Sequence, residues 1–455
     1  MSRIKTPYRI AALVAVLTLV LAACGTDDPE PEAAEAPSAP DAPAAPEAPE
    51  EDAAPAGCDG QYGGSLTVAY FTDVLQLDSM PSTRAPTTPR HAVFEQLTAN
   101  DASLTPQPGL AESWEVSDDG LTWTFHLREG VNFHNGEVLS ADDVVASWGR
   151  YEAIGARSFE LDMVTEVVAI DDLTVELRLS QPYGALTEST SAISGGWGIM
   201  PASIIEQIGE DIPTDPALIV GTGPYMAHEI IPEVSTTLVR FDNYTQRDGP
   251  NDPPAASYLA GPRCAYFDEI VVISIADNAT RAAALLAGDI DLTDTLPGDE
   301  LARLEADPNV DFVITEPGQR VYLKMNPTIP PFDDPDVRDA VRMGLDPEEI
   351  MAGYGPSDIW RVNATPRYQE GQGLWHDMNH LYERDVEGAR ELLAQSSYNG
   401  EPVILLTSPG RPDSIQSIPL ERQLTDMGFN VELQAVDGAT FGTVRQDLSA
   451  WNIKT

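Results

Sequence analysis

The sequence predicts an α/β protein with two or three domains. Its 455 residues, of which 42% are hydrophobic, are enough to form sizeable cores. In the C-terminal half, strand-like and helix-like segments alternate. The clearest case is a strand over residues 403–406, a helix around residues 420–427 that ends at Gly428, and a strand over residues 431–436. This order favours parallel strands that are buried beneath helices.

The first 24 residues have the pattern of an export signal. Three basic residues precede an uncharged stretch over residues 10–23, which is too short to span a bilayer. The stretch ends in Leu21-Ala22-Ala23-Cys24, which resembles the bacterial lipobox, in which Cys24 is acylated and becomes the mature N-terminus. The alternative is a plain secretory signal in which Cys24 is incidental. Both interpretations place the rest of the chain outside the cytoplasm.

An acidic linker is expected after the signal. Residues 25–57 consist mostly of Pro, Ala, Glu and Asp and contain no base and no aromatic residue, so they cannot bury enough apolar surface to fold. Most of the net charge of −47 lies beyond this segment. Nucleic acid and anionic membrane surfaces are therefore not expected as partners, whereas a cationic ligand is favoured. The alternative is a solvated acidic surface without a role in binding.

Strands are expected in two regions of the N-terminal half. Over residues 64–70, apolar residues alternate with polar or small ones. Residues 121–133 predict a β-hairpin. Apolar residues alternate up to Leu127, Glu129-Gly130 forms the turn, and residues 131–133 begin the return strand.

Capping residues predict several helix ends. Ser140 is the expected N-cap of a helix, with Asp143 at N3 as the acid of a capping box. Gly288 is expected to end the helix that precedes it. Asp334-Pro335 and Asp346-Pro347 each put an N-cap before a proline at N1, so a short helix is expected at each.

Two cysteines remain after Cys24. Cys58 and Cys264 form an even pair in an oxidising compartment, and each lies a few residues ahead of a strand-like segment. A disulfide between them would tie the start of the folded part to a distant loop. Spacing alone does not show that the two cysteines meet, so the free-thiol alternative stays open.

Signals of catalysis are weak. The sequence has no His-Glu-x-x-His, no Gly-x-Ser-x-Gly and no phosphate loop. The run Gly221-Thr222-Gly223-Pro224-Tyr225 is interpreted as a tight structural turn, because Pro224 would interrupt a row of phosphate-binding amides. His126 and His134 are expected on the hairpin surface. The adjacent acids Asp142-Asp143 and Asp333-Asp334 are explained as helix starts, so neither a metal nor a cofactor is expected.

A longer pattern resembles a known family. The resemblance is strongest over about forty residues and extends from about residue 61 to the C-terminus. The matching runs include Leu110-Ala111-Glu112-Ser113-Trp114, Ser117-Asp118-Asp119-Gly120, Phe125 to Val131, Phe133-His134-Asn135-Gly136, Ala141-Asp142-Asp143-Val144 and Gly288-Asp289-Ile290-Asp291. The chain resembles the extracytoplasmic solute-binding proteins of family 5, the peptide/nickel-binding lipoproteins that feed ABC importers.

The resemblance implies a two-lobed periplasmic-binding-protein-like α/β fold, in which a cleft closes on the ligand, with an extra small domain. The expected organisation is a lipoprotein signal peptide over 1–24, a disordered acidic linker over 25–57, lobe I over 58–85 and 195–295, the extra domain over 86–194, and an incomplete lobe II over 296–455. Family members continue beyond a strand that resembles Trp451-Asn452-Ile453. The chain is therefore expected to be a fragment; the alternative is a shortened protein.

The resemblance also suggests what the protein does. It implies a lipid-anchored, monomeric receptor that captures a solute, favoured to be a short peptide, and presents it to the permease subunits of an ABC importer. A non-peptide solute such as a nickel complex or a sugar, a secreted lipoprotein enzyme, and an adhesion or sensory lipoprotein are the alternatives. Residues expected at or near the cleft are Trp197, Asn278, Tyr322, Tyr368 and Trp375. For each aromatic residue among them, packing in a core or hinge is the alternative.

Overall fold

A computed structural model describes most of the chain after residue 57. The described residues are 58–454 without 59, 72–75, 82–87, 102, 193–194, 248–257, 295, 297, 314–322, 356, 358–359, 363–375, 380–382 and 410. The predicted signal peptide with Cys24, the linker over 25–57, and the predicted cleft residues Tyr322, Tyr368 and Trp375 lie outside the described residues.

Strands and helices both occur throughout the described part. The strands are β1 (Ser65–Tyr70), β2 (Thr98–Asn100), β3 (Pro106–Pro108), β4 (Ala111–Val116), β5 (Thr122–Leu127), β6 (Val164–Asp171), β7 (Thr174–Leu179), β8 (Tyr225–Ile231), β9 (Ser235–Arg240), β10 (Glu269–Ser274), β11 (Leu292–Thr293), β12 (Lys324–Met325), β13 (Pro402–Thr407), β14 (Asn430–Ala435) and β15 (Ile453–Lys454). The helices are α1 (Thr88–Val93), α2 (Ala141–Ile154), α3 (Leu186–Ser189), α4 (Ala202–Ile208), α5 (Asn278–Ala287), α6 (Gly298–Leu304), α7 (Pro335–Gly344), α8 (Pro347–Met351), α9 (Val386–Gln395), α10 (Ser417–Met427) and α11 (Gly438–Val444).

Three larger sheets organise these elements. The first sheet has the order β11-β1-β10-β9-β8, and β1 pairs in parallel with both β10 and β11. The antiparallel sheet has the order β4-β5-β7-β6. The C-terminal sheet has the order β12-β15-β13-β14, in which β13 runs parallel to β14 and β15. Mixed sheets with helices fit the predicted α/β class.

One hydrophobic core joins the first sheet to the antiparallel sheet. It contains Val68 of β1, Phe125 of β5, Val144 of α2, Ile204 of α4 and Leu238 of β9, all at most 6% exposed. A second core lies under the C-terminal sheet and is built from α7, α9, α10 and β13. The predicted boundaries of lobe I and of the extra domain therefore cross a continuous core, and these boundaries stay predictions.

The capping predictions are confirmed. The Ser140 amide donates to the Asp143 carboxylate at 2.8 Å, which begins α2. Asp334 and Asp346 accept hydrogen bonds from the first turns of α7 and α8, and Pro335 and Pro347 stand at N1. The predicted β-α-β unit is also present, as β13, α10 and β14 with parallel pairing.

The predicted hairpin over residues 121–133 is wrong in its partner. The strand exists as β5 and its alternation is confirmed, because Trp123, Phe125 and Leu127 are buried. However, β5 forms its hairpin with β4 and pairs on its other side with β7. The turn lies at Ser117–Leu121, where Gly120 adopts φ +69° and the Asp119 carboxylate accepts from the Leu121 amide. Turn residues on both sides of a strand leave its partner undecided in the sequence.

Within the described ranges, no helix combines the length and apolarity that crossing a membrane requires.

Candidate functional site

Three parallel strands of the first sheet end at one edge. Tyr70, the last residue of β1, is paired with Ser274 of β10, and Ala69 is paired with Thr293 of β11. Asp294 therefore comes directly after β11 at this edge, and β10 leads here into α5. In open α/β sheets, ligands bind outside the carboxyl ends of the parallel strands. We call this edge, with Tyr70, Asn278, Arg281 and Asp294, the first-sheet edge.

The carboxylate of Asp294 lies at this edge. It is half-buried, and its Oδ1 atom is buried without a hydrogen-bond partner among the described residues. Burial raises the pKa of its carboxyl to about 6, although the nearby Arg281 acts in the opposite direction. The carboxylate thus carries a desolvation penalty that its neighbours do not offset.

Arg281 is committed to bonds within the protein. It is fully buried, one terminal nitrogen donates to the carbonyl of Ile275 at 2.6 Å, and the other donates to Oδ1 of Asn278 at 2.7 Å. The structure therefore places Asn278, a predicted ligand residue, at the first-sheet edge, but its carboxamide oxygen is occupied by Arg281.

Tyr70, at the end of β1, lies at the same edge. Burial raises the pKa of its phenol, a hydrogen bond to the Thr88 side chain opposes this effect, and the charge of Asp294 adds to it. Tyr70 is 6% exposed, and it lies near enough to Asp294 for the two groups to interact electrostatically.

The C-terminal sheet has a comparable edge. Ser408 follows β13 there and is 2% exposed, and its Oγ atom has no hydrogen-bond partner. The Ser417 hydroxyl, at the start of α10, donates to Oγ1 of Thr407 at 2.7 Å. Gln416 donates to the Tyr354 hydroxyl at 3.0 Å. At the carboxyl ends of their parallel strands, both mixed sheets therefore contain a buried polar atom that no described residue satisfies.

Trp197 lies in the core rather than on an open surface. It is 1% exposed and packs against Trp148, with ring centroids 5.2 Å apart, and against Tyr151 at 6.3 Å. This burial favours the alternative of core packing over stacking on a ligand.

A buried cluster of charged groups lies elsewhere, around Glu95. The Glu95 side chain has no exposed surface, and its carboxylate accepts from Arg247 at 2.7 Å, from Thr222 at 3.1 Å and from Tyr244 at 3.2 Å. Arg263 lies 3.6 Å from the same carboxylate. Burial raises the pKa of Glu95, but the two arginines outweigh it and the pKa falls below its usual value. We call these five residues the Glu95 cluster.

A disulfide between Cys58 and Cys264 adjoins the Glu95 cluster. Cys264 follows Arg263 directly, and the side chain of Gln246, the neighbour of Arg247, contacts Cys58 Sγ at 3.3 Å. The disulfide thus ties residue 58 to the loop that supplies Arg263.

His134 was expected on the surface, and that expectation is wrong. Its Nε2 lies 2.9 Å from the carbonyl of Gly223, and its Nδ1 lies 3.2 Å from the amide of Gly221. Burial lowers the pKa of His134 to about 4. A neutral ring can donate to the one glycine and accept from the other, so His134 fastens the turn at residues 221–225. The structure confirms that this turn is structural, because a Cβ on either glycine would collide with the backbone of α1.

Comparison with known proteins identifies the family. Residues 105–453 match the family described as bacterial extracellular solute-binding proteins, family 5 Middle. The chain belongs to this family. The family predicted from the sequence is therefore confirmed.

Curated relatives of this family 5 protein include two that are named for a ligand class. The probable peptide ABC transporter periplasmic-binding protein y4tO of Sinorhizobium fredii is 29% identical over 358 residues, which are 76% of this chain and 65% of the relative. The glutathione-binding protein GsiB of Escherichia coli O1:K1 is 30% identical over 337 residues, which are 72% of this chain and 60% of the relative. The chain thus spans less than two thirds of the length of these relatives.

Solved structures show the same fold. The periplasmic binding protein AgaA of A. tumefaciens R10, in complex with agropinic acid, superposes with a TM-score of 0.70 at 24% identity, over 86% of this chain and 76% of AgaA. The family 5 protein therefore has the two-lobed α/β fold of periplasmic binding proteins, as the sequence predicted.

Sequence reasoning missed Asp294, Ser408 and the Glu95 cluster. Asp294 and Ser408 each follow a short apolar strand directly, and this position was the available signal. Nothing comparable points to Glu95, because its partners lie 127 to 168 residues further along the chain.

Proposed function

We propose that this family 5 protein is an extracytoplasmic receptor that captures a short peptide and presents it to the permease of an ABC importer. One structural observation supports a binding site for the solute. In each of the two mixed sheets, the parallel strands end beside a buried polar atom that no described residue satisfies, Asp294 Oδ1 in one and Ser408 Oγ in the other. Buried polar atoms normally have partners, and among the described residues neither atom has one, so a bound solute would supply the partner that each lacks.

The names of relatives favour a peptide. The relative y4tO is named for peptide transport and GsiB for glutathione, which is itself a small peptide. The protein would act by hinge closure: the solute binds the closed arrangement of the lobes better than the open one and shifts the population towards it. Such a receptor performs no chemistry on its ligand.

The anchor belongs to the same proposal. An acylated Cys24 followed by the acidic linker of residues 25–57 would keep the receptor on the outer face of a membrane and within reach of a permease. Expression with a Cys24→Ser control tests this part. The wild type is expected in the membrane fraction with a lipid-modified Cys24 by mass spectrometry, and the variant in the soluble fraction; equal partitioning of the two would contradict the anchor.

A thermal-shift and calorimetry screen tests the ligand class. The probes are glutathione, tri- and tetrapeptides, a nickel–histidine complex and simple sugars. A peptide at a hundred times its Kd should stabilise the protein by roughly 3 kcal/mol and raise Tm by several degrees. A flat response to every peptide with a clear shift for a metal complex or a sugar would replace the peptide assignment. Turnover of a probe would instead favour the enzyme alternative.

A further inference from the structure

The lysines of this chain are few, and two of them lie side by side. The sequence contains Lys5, Lys324 and Lys454, and every other residue among its 26 lysines and arginines is an arginine. Lys5 belongs to the predicted signal peptide. Lys324 of β12 is paired directly with Lys454 of β15 in the antiparallel register. Side chains directly opposite each other share one face of a sheet, with Cβ atoms about 5 Å apart, so the two lysines form an unfavourable like-charge pair.

The side chain of Lys454 lies against an aromatic ring. Its Nζ atom is 4.0 Å from the ring centroid of Trp451 and donates to the carbonyl of Arg445 at 3.2 Å. Trp451 is 4% exposed and packs in a small core with Leu406 and Phe441. Lys454 itself is partly exposed, so its amine is held in one place and is open to small solutes.

The surroundings of Lys454 favour its neutral form. Burial lowers the pKa of the amine to about 8, and the positive charges of Lys324 and Arg445 contribute in the same direction. Lys324 faces it from β12, and Arg445 faces it from the turn after α11; within the described part of the chain, no carboxylate is among the groups that shift its pKa. A lysine in such a place is partly neutral and nucleophilic near pH 8, whereas an arginine would stay charged.

A reaction that makes this amine anionic would remove the like-charge pair. Dissolved CO2 is a small electrophile that reacts with neutral amines and not with ammonium groups. The lone pair of Nζ forms a bond to the carbon of CO2, an electron pair of one C=O bond moves to its oxygen, and a proton leaves Nζ for water. The products are a carbamate with one negative charge and a released proton, and the step needs neither an oxidant nor a reductant.

We propose that Lys454 is a modification site, at which dissolved CO2 is taken up as a lysine carbamate. The inference goes beyond the proposed function and does not depend on the captured solute. The carbamate places an anion opposite Lys324 and near Arg445, so both cations change from repelling neighbours to counter-charges. The N–H that remains on Nζ can still donate to the carbonyl of Arg445. The modification therefore joins β12 to β15 through a pair of opposite charges and stabilises the C-terminal sheet.

Carbon NMR of the full chain, equilibrated with isotopically labelled CO2, provides the test. The carbamate resonance is followed, and the modified residue is located by mass spectrometry after the carbamate is trapped as an ethyl ester with an oxonium reagent. Lys454→Arg keeps the positive charge and removes the reactive amine. The matched control is a Lys454→Arg/Arg303→Lys double variant, which has a lysine at an exposed position of α6 instead.

The wild type should show a carbamate that maps to Lys454. A lysine with a pKa of about 8 is roughly a quarter neutral at pH 7.5, and an unperturbed lysine about 0.1% neutral, so the introduced lysine of the double variant should carry at least about fiftyfold less carbamate. At a fixed CO2 pressure, the wild-type signal should rise by roughly tenfold or more between pH 6.5 and pH 8.5, because the neutral amine grows as pH rises. Lys324→Gln should lower the signal severalfold, because the carbamate loses its counter-charge.

Two results would overturn the inference. If Lys454→Arg keeps the wild-type signal in full, the carbamate forms elsewhere, such as at the amino terminus. If the introduced lysine of the double variant reacts as strongly as Lys454, the reaction is general to lysines and the position in the sheet adds nothing. Should Lys454→Arg fail to fold, peptide mapping of the trapped wild type decides the question, since carbamate found only at other residues contradicts the inference. None of these results affects the proposed function, which the solute screen tests separately.

Discussion

Two carboxylates in different parts of the described chain, Glu95 and Asp294, illustrate opposite uses of a buried charge. Glu95 is fully buried, its carboxylate accepts hydrogen bonds from Arg247, a threonine and a tyrosine, and the charges of the nearby arginines hold its pKa below the usual value. Asp294 is half-buried and unsatisfied, and its pKa rises to about 6. The Glu95 cluster therefore has the properties of a stabilising ion-pair network, whereas the first-sheet edge has those of a candidate binding site.

The largest expected effect comes from breaking the Glu95 cluster. Glu95→Gln leaves Arg247 and Arg263 buried without their counter-charge and should lower the free energy of unfolding by about 3–5 kcal/mol. Urea denaturation measures this, with Glu115→Gln on the exposed face of β4 as the control, which should change little. A loss of unfolding free energy below about 1 kcal/mol for Glu95→Gln would mean that the cluster does not stabilise the fold.

Removing the disulfide next to the Glu95 cluster should also destabilise the fold. A Cys58→Ser/Cys264→Ser double variant opens a link across a sequence separation of 206 residues and should lose about 2–4 kcal/mol of unfolding free energy. Because Cys264 follows Arg263, adding Glu95→Gln should cost less than the sum of the separate losses. Full additivity would show that the disulfide and the cluster act independently.

His134 extends the comparison to the way in which stability depends on pH. Its pKa is about 4 in the folded protein and near the usual value when unfolded, so the stability it contributes is complete above pH 6.5 and is lost as pH falls toward 4. The loss should be about 3 kcal/mol, and His134→Gln should remove this dependence. His126→Gln, on the half-exposed face of β5, is the control and should retain it. NMR titration of the His134 ring gives the pKa directly, and a value near 6.5 would contradict its burial.

Asp294 should have the smallest effect on stability. Its contribution should change with pH in the direction opposite to that of His134. Its pKa is higher in the folded protein than in the unfolded chain, so its carboxyl destabilises the fold as pH rises from about 4 to about 6. Asp294→Asn should therefore be more stable than the wild type at pH 7.5, by about 1 kcal/mol, and lose this advantage near pH 4. Paired urea titrations at both pH values measure it. A less stable variant at pH 7.5 would make Asp294 a structural partner of Arg281.

Local signals predicted local structure well. Ser140 with Asp143, the Asp-Pro pairs before α7 and α8, and Gly288 after α5 all determine helix ends through neighbouring backbone groups, so the sequence contains the whole interaction. The partner of β5 was not predictable in this way, because turn residues flank that strand on both sides.

The candidate site was predicted less well than the fold. Aromatic character suggested Trp197, but a buried ring serves a core as readily as a ligand, and the structure packs it against Trp148 and Tyr151. Asn278 lies at the first-sheet edge, but its carboxamide oxygen already accepts from Arg281, and its role in binding stays a prediction. Tyr322, Tyr368 and Trp375 stay predictions.

The sequence alone determined the family, the α/β class and the cysteines available for pairing, because motifs, alternation and caps act over short distances. Only the tertiary structure decided which charges meet. Glu95 gains Arg247 and Arg263 from distant segments, while Asp294 finds no donor for Oδ1 within the described part of the chain, although both are acids in a strongly acidic chain. Burial and the supply of partners set the role of a carboxylate, and both depend on contacts between segments that are far apart along the chain.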